Sequence, residues 1–189
     1  MSRKTVGFAM CGSFCTFRKA IDALRSLAAE YHVIPILSAA AYETDSRFGA
    51  AAGFRSQIET ACGEPILHTL PEVEPFGPKA MLDLLVIAPC TGNTLGKLAG
   101  GIADSPVTFA CKAHLRNGRP VVLAVSTNDG LSASAESVGT LLNRKHYYFV
   151  PFGQDSPEKK PYSLVADFRR LPETVAAALE NRQIQPILL

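Results

Sequence analysis

The sequence predicts an α/β protein in which a doubly wound parallel sheet lies between two layers of helices, a three-layer α/β/α arrangement. Six short apolar runs alternate with stretches of helical periodicity, and this order is typical of parallel sheets with helices on both faces. The runs span residues 6–10, 33–37, 66–70, 84–88, 121–125 and 147–150. A chain of 189 residues can bury a sizeable core, so we expect residues 1–189 to form one domain.

Helical patterns fill most of the intervals between the apolar runs. They span residues 16–30, 106–117, 132–145 and 172–182. Gly118 is well placed to end the second helix, and the pair Pro172-Glu173 is typical of the first turn of the last one.

Two segments interrupt this alternation. Residues 71–79 hold three prolines and one glycine, which favours irregular structure. Residues 151–163 are predicted to form a polar loop after the sixth strand. Loops of this length are often lids or partner contacts, although a flexible surface loop is the simpler explanation. Within this loop, we expect Gln154 and Asp155 to mark the side that meets a partner or a substrate.

Composition and charge exclude several classes of protein. Hydrophobic residues make up 47% of the chain and charged residues 19%, which argues against disorder. A net charge of +2 is too balanced to suggest nucleic-acid binding, and no apolar run approaches the roughly 20 residues that cross a bilayer. Five cysteines, an odd number, predict no disulfide framework and fit a reducing cytoplasm. The four histidines lack metal-ligand spacing, so no metal site is predicted.

Polar residues follow several of the predicted strands at their carboxyl ends, where open α/β sheets bind ligands. Gly12-Ser13 follows the first strand, Ser38 the second, and the segment from Pro89 to Thr94 the fourth apolar run. Hydroxyls and free N–H groups at such positions suit a phosphate-bearing, planar cofactor. Ordinary turns and helix caps use the same residue types, so that explanation stays open. The lone Gly12 is not a Gly-x-Gly-x-x-Gly dinucleotide fingerprint.

The segment after the fourth apolar run carries the most chemistry. Pro89 ends the strand, Thr91 and Thr94 supply hydroxyls, and Asn93 supplies an amide. We expect Gly92 to permit close approach of a flat ring.

Three further features lie near these strand ends. Lys97 shares a helix face with Asn93, where it contacts an anion or faces solvent. Cys90 has no obvious histidine partner, so the sequence does not favour a nucleophile there. Ser126-Thr127-Asn128-Asp129 forms a further polar strand end.

Together these segments resemble the flavoprotein family, which includes flavin-dependent cysteine decarboxylases and flavin prenyltransferases. The resemblance implies a flavodoxin-like or Rossmann-like sheet and a homo-oligomer, a trimer or dodecamer, with FMN at subunit contacts. It implies that Ser13 and Ser38 hold the flavin phosphate. It also implies that Thr91, Asn93 and Thr94 approach the phosphate, ribityl chain or ring. Gly12, Pro89 and Gly92 complete the implied FMN site.

Further segments, residues 74–79, 112–120, 149–155 and 185–188, resemble one branch of the family across essentially the whole chain. Members of this branch act with a nicotinamide-dependent companion subunit, which implies NADP on the partner and a small dicarboxylate as substrate. The resemblance also implies an oxidoreductase subunit in the cytoplasm of the mother cell of a sporulating bacterium. Candidate cations for the carboxylates are Lys97, Arg116, Arg119, Lys159 and Lys160.

The chain departs from the decarboxylases at two points. Residues 55–64 contain no histidine where the catalytic one is expected, and His68 falls within the third apparent strand. Ser126-Thr127-Asn128-Asp129 replaces the Pro-x-Met-Asn substrate motif. No catalytic residue is therefore named. The alternatives are a self-sufficient flavin-dependent decarboxylase or flavin prenyltransferase, and a non-catalytic partner subunit on a flavin-binding fold.

Overall fold

The computed structural model describes residues 3–189 and confirms the predicted α/β fold. Within residues 3–189, seven strands form one sheet with helices on both of its faces. The strands are β1 (Thr5–Met10), β2 (His32–Leu37), β3 (Leu84–Cys90), β4 (Val121–Thr127), β5 (Tyr147–Phe149), β6 (Phe152–Ser156) and β7 (Lys160–Ala166). The α-helices in this part of the chain are α1 (Phe17–Glu30), α2 (Ala39–Glu43), α3 (Ala51–Cys62), α4 (Leu70–Val73), α5 (Gly92–Gly100), α6 (Pro106–Leu115), α7 (Ala135–Leu142) and α8 (Leu171–Ala178).

Five strands pair in parallel in the order β2-β1-β3-β4-β5. Val6 of β1 pairs with Val33 on one side and with Leu84 on the other. Every residue of β3 is buried, as expected for a central strand covered on both faces. The chain therefore runs from β1 to one side of the sheet and later returns to the other, which makes the β1/β3 junction the switch point of the fold.

The four predicted long helices are confirmed, and each is shorter than the sequence pattern suggested, α1 by a single residue. Helix α1 turns Phe17, Ala20, Ile21, Leu24 and Leu27 into the core, the spacing of an amphipathic helix. Helix α6 begins at Pro106 as predicted, and a reciprocal Ser105–Thr108 cap precedes it.

The strand predicted at residues 66–70 is wrong. Only Leu67 makes a bridge, to Ile36 of β2, and Leu70 already begins α4. Thr69 and Glu72 form a capping box at that helix start, with Pro71 in its first turn. Residues 71–79 are therefore partly helical, since α4 continues into a 3₁₀ turn at Glu74–Phe76.

The polar loop predicted at residues 151–163 is also wrong, because most of it forms the antiparallel hairpin β6–β7. Strand β7 pairs antiparallel with the end of β4, where Ser126 faces Val165 and Thr127 faces Leu164. The sheet is thus parallel in its main part and antiparallel at this one corner. The hairpin was not predicted because exposed polar residues and two prolines occupy its strands and turn.

Candidate functional site

A cavity of about 630 Å³ opens at the carboxyl end of the parallel strands. Its wall comes from the residues after β1, β3 and β4, from the loop after α2, and from the β6–β7 hairpin. Both its size and its place at the β1/β3 switch point are typical of small-molecule sites in open α/β sheets.

Three hydroxyls form a cluster on one wall of this cavity. Ser13 Oγ lies 2.9 Å from Ser126 Oγ, and Thr16 Oγ1 lies 3.1 Å from the same atom. Thr16 also donates to the Ser13 carbonyl oxygen at 2.9 Å, which fixes the turn between β1 and α1. The cluster brings together the ends of β1 and β4, and each hydroxyl can make more bonds than these. Sequence patterns indicated Ser13 and Ser126 but missed Thr16, which has the pattern of an ordinary helix residue.

The first turn of α5 forms the neighbouring part of the wall. Thr91 caps the helix, accepting the Thr94 N–H on its hydroxyl at 3.3 Å. Thr91, Gly92 and Asn93 line the cavity, and Asn93 is exposed there. Within residues 3–189, no side-chain hydrogen bond of Asn93 is formed. A free amide beside the unpaired N–H groups of a helix start is well suited to binding an anion or a polar ligand.

Gly92 has a packing role in addition to the one predicted for it. A Cβ at this position would lie 2.4 Å from Ser134 Oγ and 2.7 Å from both Asp129 Oδ1 and Thr127 Oγ1. Thr127 and Ser134 both donate to Asp129 Oδ1, so these atoms belong to one network. The missing side chain therefore lets α5 pack on the end of β4, while Gly92 also lines the cavity.

Three of the predicted FMN residues support the cavity without lining it. Ser38 caps α2, accepting the Ala41 N–H at 3.3 Å. Thr94 is buried and donates to Cys11 Sγ at 3.2 Å, while the Pro89 carbonyl accepts the Cys11 N–H at 3.2 Å. Gly12, Ser13, Thr91, Gly92 and Asn93 do line it.

The cysteines near the site divide into two kinds. Cys11, Cys90 and Cys111 are buried, and loss of solvent raises the pKa of each thiol, to about 11 for Cys11 and about 12 for Cys111. These thiols stay protonated at neutral pH, so burial as well as the lack of a partner argues against a Cys90 nucleophile. Cys15 is the exposed one, on the cavity wall 3.8 Å from Ser13 Oγ.

Of the five candidate cations, only Lys160 lines the cavity. Lys97 pairs with Asp104 at 2.8 Å, and Arg119 donates to the carbonyl oxygens of Ala80 and Leu82. Arg116 and Lys159 are exposed elsewhere on the surface. The structure instead places Lys19 and Arg47 on the cavity wall, which no motif indicated.

His68 does not lie in a strand, contrary to the sequence prediction. Its ring stacks on Tyr42 with the two centroids 3.8 Å apart, and its Nδ1 lies 3.6 Å from Glu72 Oε2. It is half-buried and not part of the cavity wall. Residues 55–64 contain no histidine. His68 lies outside the sheet, so a place within a strand does not exclude it from a functional role.

The hairpin residues singled out by sequence separate in the structure. Asp155 lines the cavity, whereas Gln154 lines a second groove beside α1. Within the described part of the chain, no helix is long and apolar enough to cross a membrane. The same residues contain no group of three or more His, Cys, Asp or Glu side chains placed to hold a metal ion.

Known proteins of similar sequence and structure share the fold described above. The profile of the family described as Flavoprotein matches residues 1–145. Over 187 residues, the chain is 43% identical to the B subunit of dipicolinate synthase from Bacillus subtilis, covering 98% of this chain and 94% of that protein. The crystal structure of the corresponding B subunit from Bacillus halodurans superposes with a TM-score of 0.90 at 43% identity, covering 98% of this chain and 96% of that one.

A more distant structure shares the fold. The crystal structure of an FMN-dependent cysteine decarboxylase superposes with a TM-score of 0.68 at 21% identity, covering 94% of this chain and 96% of that one. The fold, the cavity at the switch point and the family profile lead to one conclusion: the chain belongs to the Flavoprotein family.

Proposed function

We propose that this chain is the B-type subunit of a dipicolinate synthase and that its switch-point cavity binds FMN. The observation that carries the proposal is the 43% identity, over 98% of the chain, to a protein of that name. The family profile, which spans most of the chain, supports the flavin part of it.

The residues present fit a flavin mononucleotide. The cavity of about 630 Å³ falls within the usual range of ligand sites, and its wall combines the hydroxyl cluster with the first turn of α5. Ser13 would donate to the phosphate, and Thr91 and Asn93 would hold the ribityl chain or the ring. Ser38, in the α2 cap, stays a predicted phosphate residue. When bound, FMN supplies a centre that exchanges two electrons.

The proposed reaction divides between two subunits. Dipicolinate forms from hydroxytetrahydrodipicolinate by loss of one water and two hydrogens, which aromatises the ring. The hydride goes to NADP on a companion A subunit, and a proton goes to solvent. This chain supplies the cavity wall that binds and orients the substrate and keeps water away. A trimeric or dodecameric assembly, and the mother cell of a sporulating bacterium as the setting, stay predictions.

The test is an absorption spectrum of the purified chain followed by titration with FMN. We expect saturable binding, with the dissociation constant raised about tenfold or more in Ser13→Ala and several-fold in Asn93→Ala. A hydrogen bond to the charged phosphate contributes about 1.5–3 kcal/mol, whereas one to the uncharged ribityl chain or ring contributes about 0.5–1.5 kcal/mol. Ser56→Ala, on the exposed face of α3, is the control and should bind FMN normally.

The outcomes separate the candidate functions. Dipicolinate formation that requires the A subunit supports the proposal. Decarboxylase or prenyltransferase turnover by this chain alone contradicts it and favours the self-sufficient enzyme. Failure to bind FMN, combined with A-subunit-dependent dipicolinate formation, favours a partner subunit that has kept only the fold.

A further inference from the structure

Three cations from different elements line the same cavity as the hydroxyl cluster. Lys19 comes from α1, Arg47 from the loop after α2, and Lys160 from the start of β7. Within residues 3–189, neither Lys19 nor Arg47 forms an ion pair. Two unneutralised cations on a concave surface attract anionic ligands.

Arg47 is held in place by its own turn. Ser46 and Gly49 exchange backbone hydrogen bonds at 3.0 Å, and Phe48 N–H donates to Ser46 Oγ at 3.2 Å. The Arg47 guanidinium lies 4.9 Å from the centroid of the Phe48 ring, which itself packs on the core. This stacking orders the guanidinium near the cavity before any ligand arrives.

Lys160 has a counter-ion that also lines the cavity. Its Nζ lies 2.6 Å from Asp155 Oδ2 across the hairpin turn. Hydrogen bonding to Asp155 raises the pKa of Lys160. Arg47 lines the same cavity as this pair, so an anion that replaces Asp155 at Lys160 would bind in a cavity that also holds Arg47.

We propose that Arg47 and Lys160, together with Lys19 in the same cavity, bind the carboxylates of a small heterocyclic dicarboxylate. Asp155 forms an ion pair with Lys160 until the ligand replaces it. This assignment rests on the proposed function for its substrate class. Two separate cations match two separate carboxylates, and the planar guanidinium matches a carboxylate edge. A single phosphate is better bound by the hydroxyl cluster and the start of α5, which line the same cavity.

The experiment measures the affinity of pyridine-2,6-dicarboxylate by calorimetry, with and without saturating FMN. Picolinate is the monocarboxylate probe, and FMN and riboflavin are the phosphate probes. We expect Arg47→Gln and Lys160→Gln each to raise the dissociation constant for the dicarboxylate about tenfold, with a smaller change for picolinate. Asp155→Asn should lower it several-fold, because Lys160 is then free.

Lys159→Gln is the matched control. It removes an equally exposed lysine from the same hairpin turn, outside the cavity wall, and should leave the affinity unchanged. The side chains of Arg47, Asp155, Lys159 and Lys160 are all exposed, so the unfolding midpoints of these variants should agree with that of the wild type.

Three results would overturn the subsite. The first is a wild-type chain that does not bind the dicarboxylate, and the second is equal weakening by Lys159→Gln. The third is weaker binding of FMN but not riboflavin in Arg47→Gln, which would make this a phosphate site. If FMN binds and the A subunit activates the chain while these variants behave as wild type, the subsite fails and the proposed function stands.

Discussion

Gly92 shows how a single missing side chain shapes this site. Its α-carbon lies against Thr127, Asp129 and Ser134, so the first turn of α5 sits directly on the end of β4. The Asp129 carboxylate accepts both neighbouring hydroxyls and cannot move without breaking those bonds. Close packing at one residue therefore positions Asn93, one residue further on, at the cavity.

At this scale we expect Gly92→Ala to disrupt the site and Gly96→Ala to leave it intact. The new methyl at residue 92 displaces the Asp129 network at a cost of about 1–3 kcal/mol, and FMN affinity falls with it. Among the described residues beyond its own helix, only Ser137 Oγ, at 3.9 Å, lies within 4 Å of a Cβ at residue 96, so alanine should stabilise the helix by up to about 1 kcal/mol. Urea unfolding and FMN titration measure both. Equal FMN affinity in the two variants would contradict this account of Gly92.

The β6–β7 hairpin is the element that completes the cavity. Its pairing with the end of β4 brings Asp155 and Lys160 to the same opening as the β1 turn. The outer edge of β6 is covered in turn by the last residues of the chain. Phe152 N–H donates to the Ile187 carbonyl, and Leu189 N–H donates to the Phe152 carbonyl, each at 3.0 Å. Covering an edge strand in this way satisfies its backbone and limits pairing with other chains.

At the element scale we expect removal of residues 185–189 to loosen the hairpin. Two backbone hydrogen bonds are lost, worth about 1 kcal/mol each, so the free energy of unfolding should fall by about 2 kcal/mol. Amide exchange should accelerate at Phe152 first. Leu188→Ala is the control, because its side chain is exposed and its backbone bonds remain. Unchanged exchange at Phe152 in the shortened chain would show that the tail does not hold this edge.

For the whole molecule, the core sets a pH dependence through His114. Its side chain is 1% exposed in α6, and Nε2–H donates to the Pro120 carbonyl at 3.0 Å. Burial is the main reason that its pKa falls from 6.5 to about 4, and the nearby Arg119 adds to that effect. The folded protein therefore keeps this imidazole neutral at pH values where the unfolded chain binds a proton.

We expect the free energy of unfolding to decrease as the pH falls from about 6.5 to about 4. Across that window the unfolded state holds the extra proton, so the loss can reach roughly 3 kcal/mol. His114→Gln retains an N–H donor without a titrating group, and its stability should change less over the same window. Urea unfolding at several pH values tests this, and parallel curves for the two proteins would rule out His114 as the cause. The pKa of Asp167 is lowered by its hydrogen bond with Arg169, so this residue affects the free energy of unfolding only at lower pH.

Particular elements show how far sequence patterns reach. The runs in β1, β3 and β4 were predictable because strands buried on both faces must be apolar throughout. Residues 66–70 also form an apolar run, but they make only one β-bridge and then begin α4. The Thr69–Glu72 cap and Pro71 favour a helix there. The hairpin was missed because its exposed positions have no reason to be apolar.

By itself, the sequence determined the fold class, the polar strand ends after β1 and β3, and the family, because local periodicity and short motifs carry that information. Only the tertiary structure decided which groups share the cavity. Thr16 joins Ser13 and Ser126, and Arg47, Lys19 and Lys160 meet from three elements far apart in the chain. Ser38 caps α2 and Thr94 bonds to Cys11, so both stabilise the structure around the cavity, although their sequence segments resembled a binding site. The physical reason is that sheet register and helix packing fix distances between remote residues, and neither can be read from neighbouring residues in the chain.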